Sequence, residues 1–284
     1  MQDPREAGEL ILKMSATEFS RLSEFIYSNY GIKMPVEKKI MLQSRLQKRL
    51  RALNIPSFTE YVDYVFSKNG HEEIVLMMDQ VSTNKTDFFR EPHHFDFLVD
   101  TILPELTSRS SVKRNLKVWS AGCSSGEEAY TLAMVMENYI EQNKSFDYHI
   151  HCTDISTKVL QIAVDAVYKE DRVAVVPLEL KKKYLLRSKD PLKKTVRITP
   201  ELRAKTTFAR LNLMDSYYDA PDSFDMVFCR NVLIYFDKKT QEKVINKLAA
   251  KLRRGGYFFL GHSESIMAMN VPLKQVKPTI FVKV

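Results

Sequence analysis

The chain has 284 residues, 44% of them apolar, and no stretch approaches the ~20 consecutive apolar residues of a membrane span; a protein with one large core or two smaller ones is expected. Its three cysteines, odd in number and without C-x-x-C spacing, argue against a disulfide framework or a zinc site, and opening residues without a basic-then-apolar pattern point to the cytoplasm. The net charge of +8 is localised: Lys33 to Arg51 holds seven basic residues against Glu37 alone, and residues 169–210 hold 13 basic against 5 acidic, so acidic partners are expected.

From Ser15 to about Val81 the pattern is helical. Phe19, Leu22, Phe25 and Ile26 recur at helix spacing, Gly31 offers a stop, and Pro35 opens the next helix. There Leu42, Leu46, Leu50 and Leu53 form an apolar stripe, with Lys38, Arg45 and Arg49 on an adjoining strip facing solvent or a partner. Short helices at about 57–67 and 71–81 complete an all-α domain over residues 1–82, and residues 83–92 read as a linker that contributes to a site.

After Thr83-Asn84-Lys85-Thr86-Asp87, strands and helices alternate through 93–284, the signature of a parallel sheet covered on both faces. Strands are predicted at 116–120, 148–153, 206–211, 224–229 and 256–261, with helices at 126–142, 156–166 and 238–253. Two last strands, 273–276 and 279–283, are separated only by Lys277-Pro278 and must form an antiparallel hairpin. A small antiparallel β insertion is predicted at about 181–205: Tyr184 to Arg187, a turn through Lys189-Asp190-Pro191, then Thr195 to Thr199. Its second strand is read as having an open edge, which either the surrounding lysines protect from aggregation or an extended peptide can join.

Between the first strand and its helix lies Ala121-Gly122-Cys123-Ser124-Ser125-Gly126, where Gly122 and Gly126 permit positive φ and Ser125 with Glu128 reads as an S-x-x-E capping box. Neither the G-x-G-x-x-G nor the G-x-x-x-x-G-K-[ST] phosphate loop occurs. The turn is flanked by Glu127 and Glu128, so a phosphate-free, cationic nucleoside such as S-adenosylmethionine (SAM) fits it better. The bland alternative is a tight strand-helix junction and no more.

Other polar residues stand at strand ends. Asp154 ends the second strand, where an acid accepts both hydroxyls of a ribose or caps the next helix; Ser156 and Thr157 can also cap, which favours the ribose. Asn212 follows the third strand and contacts an adenine edge or merely shapes its loop. Arg230 and Asn231 follow the buried fourth strand, and an unsatisfied buried polar group costs on the order of 1 to 3 kcal/mol, so a functional role is expected. Enzymes that methylate nucleobase amines carry an Asn/Asp-Pro-Pro-aromatic loop at this place, and the absence of any Pro-Pro argues against a nucleic-acid substrate despite the basic charge. The pair His93-His94 reads as helix surface.

Four strings occur in order: Thr83 through Arg90, Trp119 through Glu128, Phe228-Cys229-Arg230-Asn231-Val232 with Tyr235-Phe236, and Gly261-His262-Ser263-Glu264. On these the chain resembles the chemotaxis receptor glutamate methyltransferases, the CheR-type family, from the N-terminal helices to the closing hairpin. The resemblance implies an α/β, Rossmann-like SAM-dependent methyltransferase fold. It also implies an enzyme that esterifies glutamate side chains of chemoreceptor cytoplasmic domains and releases S-adenosylhomocysteine (SAH). Asn84, Thr86, Arg90, Gly122, Glu128, Asp154, Asn212, Leu213, Arg230 and Asn231 would line the SAM site. Tyr235 would stand near the transferred methyl, and Arg90 would hold either the SAM carboxylate or the incoming glutamate.

The same resemblance implies that Lys38, Arg45, Lys48, Arg49 and Arg51 face the acidic, helical receptor bundle. Arg187 and Arg197 flank an insertion that in some members holds a receptor C-terminal peptide; the turn Ser188 to Lys194 lacks the glycines of such members, which argues against that tether here. A cytoplasmic monomer reaching the membrane only through its receptor is expected, with no metal. A non-catalytic SAM-binding module is the other reading, and the intact Arg90, Asn231 and Tyr235 argue against it.

Overall fold

The computed structural model describes residues 12–108, 114–143, 146–190 and 192–284. The chain divides into two compact units, one ending at Thr83 and one beginning at Asn84.

The first unit holds α1 (Ala16–Tyr30), α2 (Lys39–Leu53), α3 (Phe58–Val65) and α4 (His71–Val81), with a 3-10 turn (Val36–Lys38) ahead of α2. A reciprocal box between Ser15 and Glu18 opens α1, and Gly31 at φ 69° closes it. Leu22, Ile26, Leu42, Leu46, Leu50, Tyr61 and Val65 have no exposed surface and make the core.

In the second unit α5 (His93–Phe97) runs through a π-helical stretch (Leu98–Ile102) into α6 (Leu103–Ser108). There follow β1 (Arg114–Ala121), α7 (Glu127–Asn143), β2 (Phe146–Asp154), α8 (Thr157–Asp165), β3 (Val167–Lys169), α9 (Leu178–Tyr184), β4 (Leu185–Arg187) and β5 (Thr195–Ile198). Then come α10 (Pro200–Ala204), β6 (Thr206–Arg210), β7 (Phe224–Cys229), α11 (Lys238–Lys251), β8 (Leu252–Leu260), β9 (Leu273–Lys277) and β10 (Ile280–Lys283). The described strands form a seven-stranded sheet in the order β6-β2-β1-β7-β8-β10-β9. The strands from β6 through β8 pair parallel, while β10 pairs antiparallel to both β8 and β9.

Strand alternation feeds two cores. Val118, Met226 and Phe259 enter one with α7, and their neighbours Trp119, Val227 and Phe258 enter the other with α11. Strand order reverses at β1 and β7, so the crevice beyond their carboxyl ends is the place where such sheets take ligands.

Two elements differ from the sequence reading. β8 begins at Leu252 rather than 256, because Gly255 at φ 73° and a register shift opposite Phe224 and Met226 are absorbed within the strand where glycines would mark a turn. The insertion is larger than 181–205 and has three described strands in the order β3-β5-β4. β5 is therefore central, paired through Val167↔Arg197 on one side and Leu186↔Arg197 on the other, and the open edge predicted for Thr195 to Thr199 does not exist. The outer strands are β3 and β4. β3 escapes the sequence pattern because its three residues follow α8 directly, through Ala166 at φ 54°. Pro191 of the predicted turn lies outside the described residues, and Lys194 takes a left-handed position there at φ 43°.

Candidate cofactor-binding and catalytic site

The glycine turn is tied to the end of β2: Gly122 and Cys123 N–H groups both donate to the Thr153 carbonyl, at 2.7 and 3.0 Å. Gly122 has φ 89°, and a Cβ there would sit 2.4 Å from Val232 Cγ2, so close packing excludes a side chain. Asp154, 8% exposed, accepts from Ser124 N at 2.8 Å and Ser156 N at 3.0 Å. It is not the cap of α8, since Ser156 accepts from Val159 N and fills that role.

Glu128 does not complete the predicted capping box. Its Oε1 accepts from Ser120 Oγ at 2.6 Å and its Oε2 pairs with Arg230 Nη1 at 3.1 Å, while the Ser125 hydroxyl donates to Glu127. A buried guanidinium within reach outcompetes a neutral backbone N–H for the carboxylate. Arg230, with 3% of its side chain exposed, also pairs with Glu91 at 3.2 Å, donates to the Arg90 carbonyl, and lies 5.6 Å from the Phe95 ring centre. It joins the end of β7 to α7 and to the segment from Asn84 onward. Burial works to raise the Glu91 pKa, but hydrogen bonding from His262 and the Arg230 charge bring it down to about 2.

His94 is a correction to the sequence reading: it is fully buried, not helix surface. Its Nε2 lies 2.8 Å from Thr279 Oγ1 and its ring packs 5.5 Å from Phe259, because α5 docks against β8 and the turn before β10. Burial, then the Arg230 charge, lowers its pKa to about 3, so the ring is neutral.

Asn231 adopts φ 59° and is held by Glu264, whose Oε2 accepts from the N–H groups of Asn231 at 2.9 Å and Gly261 at 2.7 Å, and whose Oε1 accepts from Leu233 N at 2.7 Å. Glu264 is 8% exposed, and burial raises its pKa despite these donors. It fixes the loop that leads into the 3-10 turn Leu233–Tyr235 and so positions Tyr235. In the sequence, Glu264 stands in the string Gly261-His262-Ser263-Glu264, which by itself assigns it no role. Four non-glycine residues around the crevice have left-handed backbone: Phe89 (52°), Glu91 (57°), Ser124 (49°) and Asn231 (59°). Phe89, Glu91 and Ser124 each store about 1 to 2 kcal/mol of strain there, whereas Asn231 tolerates the region, and stored strain gathers at functional sites.

The segment from Asn84 is bound to the turn, since Ser124 Oγ donates to the Asn84 carbonyl at 2.8 Å. The Thr86 carbonyl accepts from Arg172, and Arg90, flanked by the strained Phe89 and Glu91, donates through Nη1 to the Lys85 carbonyl at 3.2 Å. Asn212 closes a local turn by accepting from Met214 N at 3.0 Å, and the buried Leu213 follows it. Arg230 thus links Arg90, Glu128 and, through Glu91, Asn231, while separate bonds hold Asn84 to Ser124, Thr86 to Arg172 and Gly122 to Thr153. Asp154 and Asn212 stand at the neighbouring strand ends, linked where Leu211 N donates to the Asp154 carbonyl.

The basic helix divides. Arg49 makes a two-pronged pair with Glu73, at 2.9 and 2.6 Å, and Glu73 is 2% exposed and also receives the Tyr61 hydroxyl. Arg45 donates to the carbonyls of Val81 and Ser82 and to the Thr83 hydroxyl, closing the end of α4. These two are internal braces rather than a solvent-facing strip. Lys48 and Arg51 are exposed, and Lys38 is half-buried. In the insertion, Arg187 and Arg197 are exposed.

Residues 84–282 match the family model of the CheR methyltransferase SAM binding domain, and residues 17–82 match that of the CheR methyltransferase all-alpha domain. A chemotaxis protein methyltransferase of Borreliella burgdorferi is 40% identical over 277 residues, covering 96% of each chain. Chemotaxis protein methyltransferase 2 of Pseudomonas aeruginosa is 36% identical, covering 93% of this chain and 92% of the relative. The chemotaxis protein methyltransferase of Escherichia coli is 35% identical, covering 89% and 86%. With a glycine turn, strand-end acids and a reversed-order sheet that fit SAM, and with family models matching both of its units, this chain belongs to the CheR methyltransferases.

Proposed function

We propose that the protein methylates glutamate side chains on the cytoplasmic domains of chemoreceptors, forming glutamyl methyl esters. The observation that carries this reading is Arg90: a half-buried cation beside the crevice that, among the described residues, makes one side-chain hydrogen bond, through Nη1 to Lys85, and so keeps the rest of its guanidinium for a carboxylate. A glutamate has an ordinary pKa of about 4.3 and is ionised at pH 7, so its attack requires no general base.

The donor set fits SAM. Buried Asp154 suits the ribose hydroxyls, Asn212 and Leu213 the adenine edge, and Glu128 with Arg230 and Asn231 the amino-acid end. When bound, SAM supplies an electrophilic methyl on a sulfonium. The chain supplies placement, and placement alone accounts for roughly 7 to 11 kcal/mol of a barrier. Tyr235, on the turn fixed by Glu264, borders the acceptor.

Exposed Lys48 and Arg51, with Lys38, give α2 a cationic face for an acidic receptor bundle. No helix among the described residues is long and apolar enough to cross a membrane, which suits a cytoplasmic monomer that meets the membrane through its receptor. Incubation with methyl-labelled SAM and receptor-containing membranes should label the receptor, and alkali should release the label as methanol. Alkali-stable label, or label on nucleic acid, would overturn the glutamate reading.

A further inference from the structure

Tyr168 and Arg172 lie outside every motif of the sequence, in β3 of the insertion and the turn after it, yet both reach the cofactor crevice. Tyr168 donates its hydroxyl to the Ser125 carbonyl at 2.6 Å, and its ring meets Phe88 edge-on at 5.0 Å. A Cβ on Gly126 would stand 3.0 Å from the Tyr168 hydroxyl oxygen. Arg172 does more. Its Nη1 pairs with Asp87 at 3.0 Å, and its Nη2 donates to the Thr86 carbonyl and to Glu127 Oε1 at 2.8 Å.

Those partners belong to the two walls of the crevice. Thr86 and Asp87 lie between Asn84 and Arg90, while Glu127 opens α7 beside Gly126 and Glu128. Glu127 is 1% exposed, and Arg172 is its cationic partner. One planar guanidinium therefore spans both walls, a geometry that the single ammonium of lysine does not reproduce.

We propose that Arg172 is a positioning residue for SAM: it holds the 84–90 segment against the glycine turn and makes the β insertion part of the cofactor site. This inference rests on the reading of that crevice as the SAM site. A purely electrostatic role has the opposite signature. SAM carries a sulfonium charge and SAH does not, so removing a nearby cation through its field alone would favour SAM over SAH. Loss of positioning weakens both by the same factor.

The test is titration calorimetry of the full chain with SAM and with SAH. Arg172→Gln should raise both dissociation constants about tenfold, the effect of losing one charge-assisted hydrogen bond, with receptor KM unchanged. Arg172→Lys should recover only part of that loss. Asp87→Asn removes one arm at a half-exposed carboxylate, leaves the Glu127 pair in place, and should raise both constants two- to threefold, about 0.5 kcal/mol. Unchanged affinities in folded Arg172→Gln, or a shift in favour of SAM over SAH, would overturn the proposal. Should Arg172→Gln fail to fold, unchanged affinities in both Arg172→Lys and Asp87→Asn would overturn it equally. Failure of the wild-type chain to bind either nucleoside would instead remove the SAM-site reading beneath it.

Discussion

Asp154 already accepts two backbone N–H groups, so its proposed contact with a ribose adds to a carboxylate that the turn has fixed in place. Asp154→Ala should weaken SAM binding by about 1.5 to 3 kcal/mol, the range for hydrogen bonds to a charged group; calorimetry that finds full affinity in a folded variant would take Asp154 out of the site. Glu264 acts at the other wall. In Glu264→Gln an amide faces three backbone N–H donors, the loop carrying Asn231 and Tyr235 loosens, and kcat should fall about ten- to a hundredfold, or 1 to 3 kcal/mol. Because that loop also carries Asn231, SAM affinity should weaken as well but by less than kcat, about two- to fivefold, and an equal loss of both would mean general damage. Asp154 and Arg230 were legible in the sequence because polar residues at strand ends stand out. Glu264 and Arg172 were not, because their partners are backbone groups and side chains brought together only by strand order. His94 was misread because pattern alone does not reveal that Thr279 and Phe259 enclose it. Its folded pKa of about 3 lies below its ordinary 6.5, so the folded state binds fewer protons, and its contribution is present above pH 6.5 and lost as pH falls toward 3. Glu91, held at about 2, adds a second loss below its ordinary 4.5. Denaturant titrations should show stability falling on acidification by up to about 1.4 kcal/mol per pH unit for each proton involved. His149 and His151, also lowered by burial, share in the slope. His94→Phe, which keeps the ring packing, should flatten it between pH 6.5 and 4.5. An unaltered slope would assign the acid sensitivity to the other two histidines.

At the level of elements, α2 shows why a basic helix is not one surface. The same period that brings Leu42, Leu46 and Leu50 inward leaves Arg45 and Arg49 beside the stripe, close enough to be drawn onto the α4 terminus and Glu73. Arg49→Ala strands a buried carboxylate and should destabilise the helical unit by about 3 to 5 kcal/mol, seen as an early thermal transition. Reversing Lys48 and Arg51 to glutamate should leave that transition in place, raise receptor KM and lower its salt sensitivity, with SAM affinity constant; unchanged receptor kinetics would make this face merely solvated. The insertion makes the complementary point. Its sequence disclosed strands but not their order, and with β5 central only β3 and β4 offer an edge. The turn into β5 has Lys194 in the left-handed position that glycine prefers. Receptors with and without a C-terminal peptide should be methylated at similar rates. A micromolar complex with such a peptide, lost on Arg187→Glu, would reverse that expectation.

Across the whole molecule, the fold was most legible where one residue type serves one purpose. β7 is buried on both faces and runs from Phe224 to Cys229 as its apolar pattern, interrupted by Asp225, predicts. The hairpin of β9 and β10 followed from a connection too short for anything else. Its place in the sheet did not, because nothing local says that β10 slips between β8 and β9. That placement has a consequence in time. Ribosomes add about 5 to 20 residues per second, so the first unit can fold early, while the sheet that begins after Asn84 waits roughly 10 to 40 s at that rate for its interior strand. Until Ile280 and Phe281 emerge, Phe258 and Phe259 have no cover on that flank and β9 has no partner. Until β10 is in place, the nascent sheet keeps an apolar flank uncovered and a strand unpaired, the features that make a partly made chain prone to aggregate.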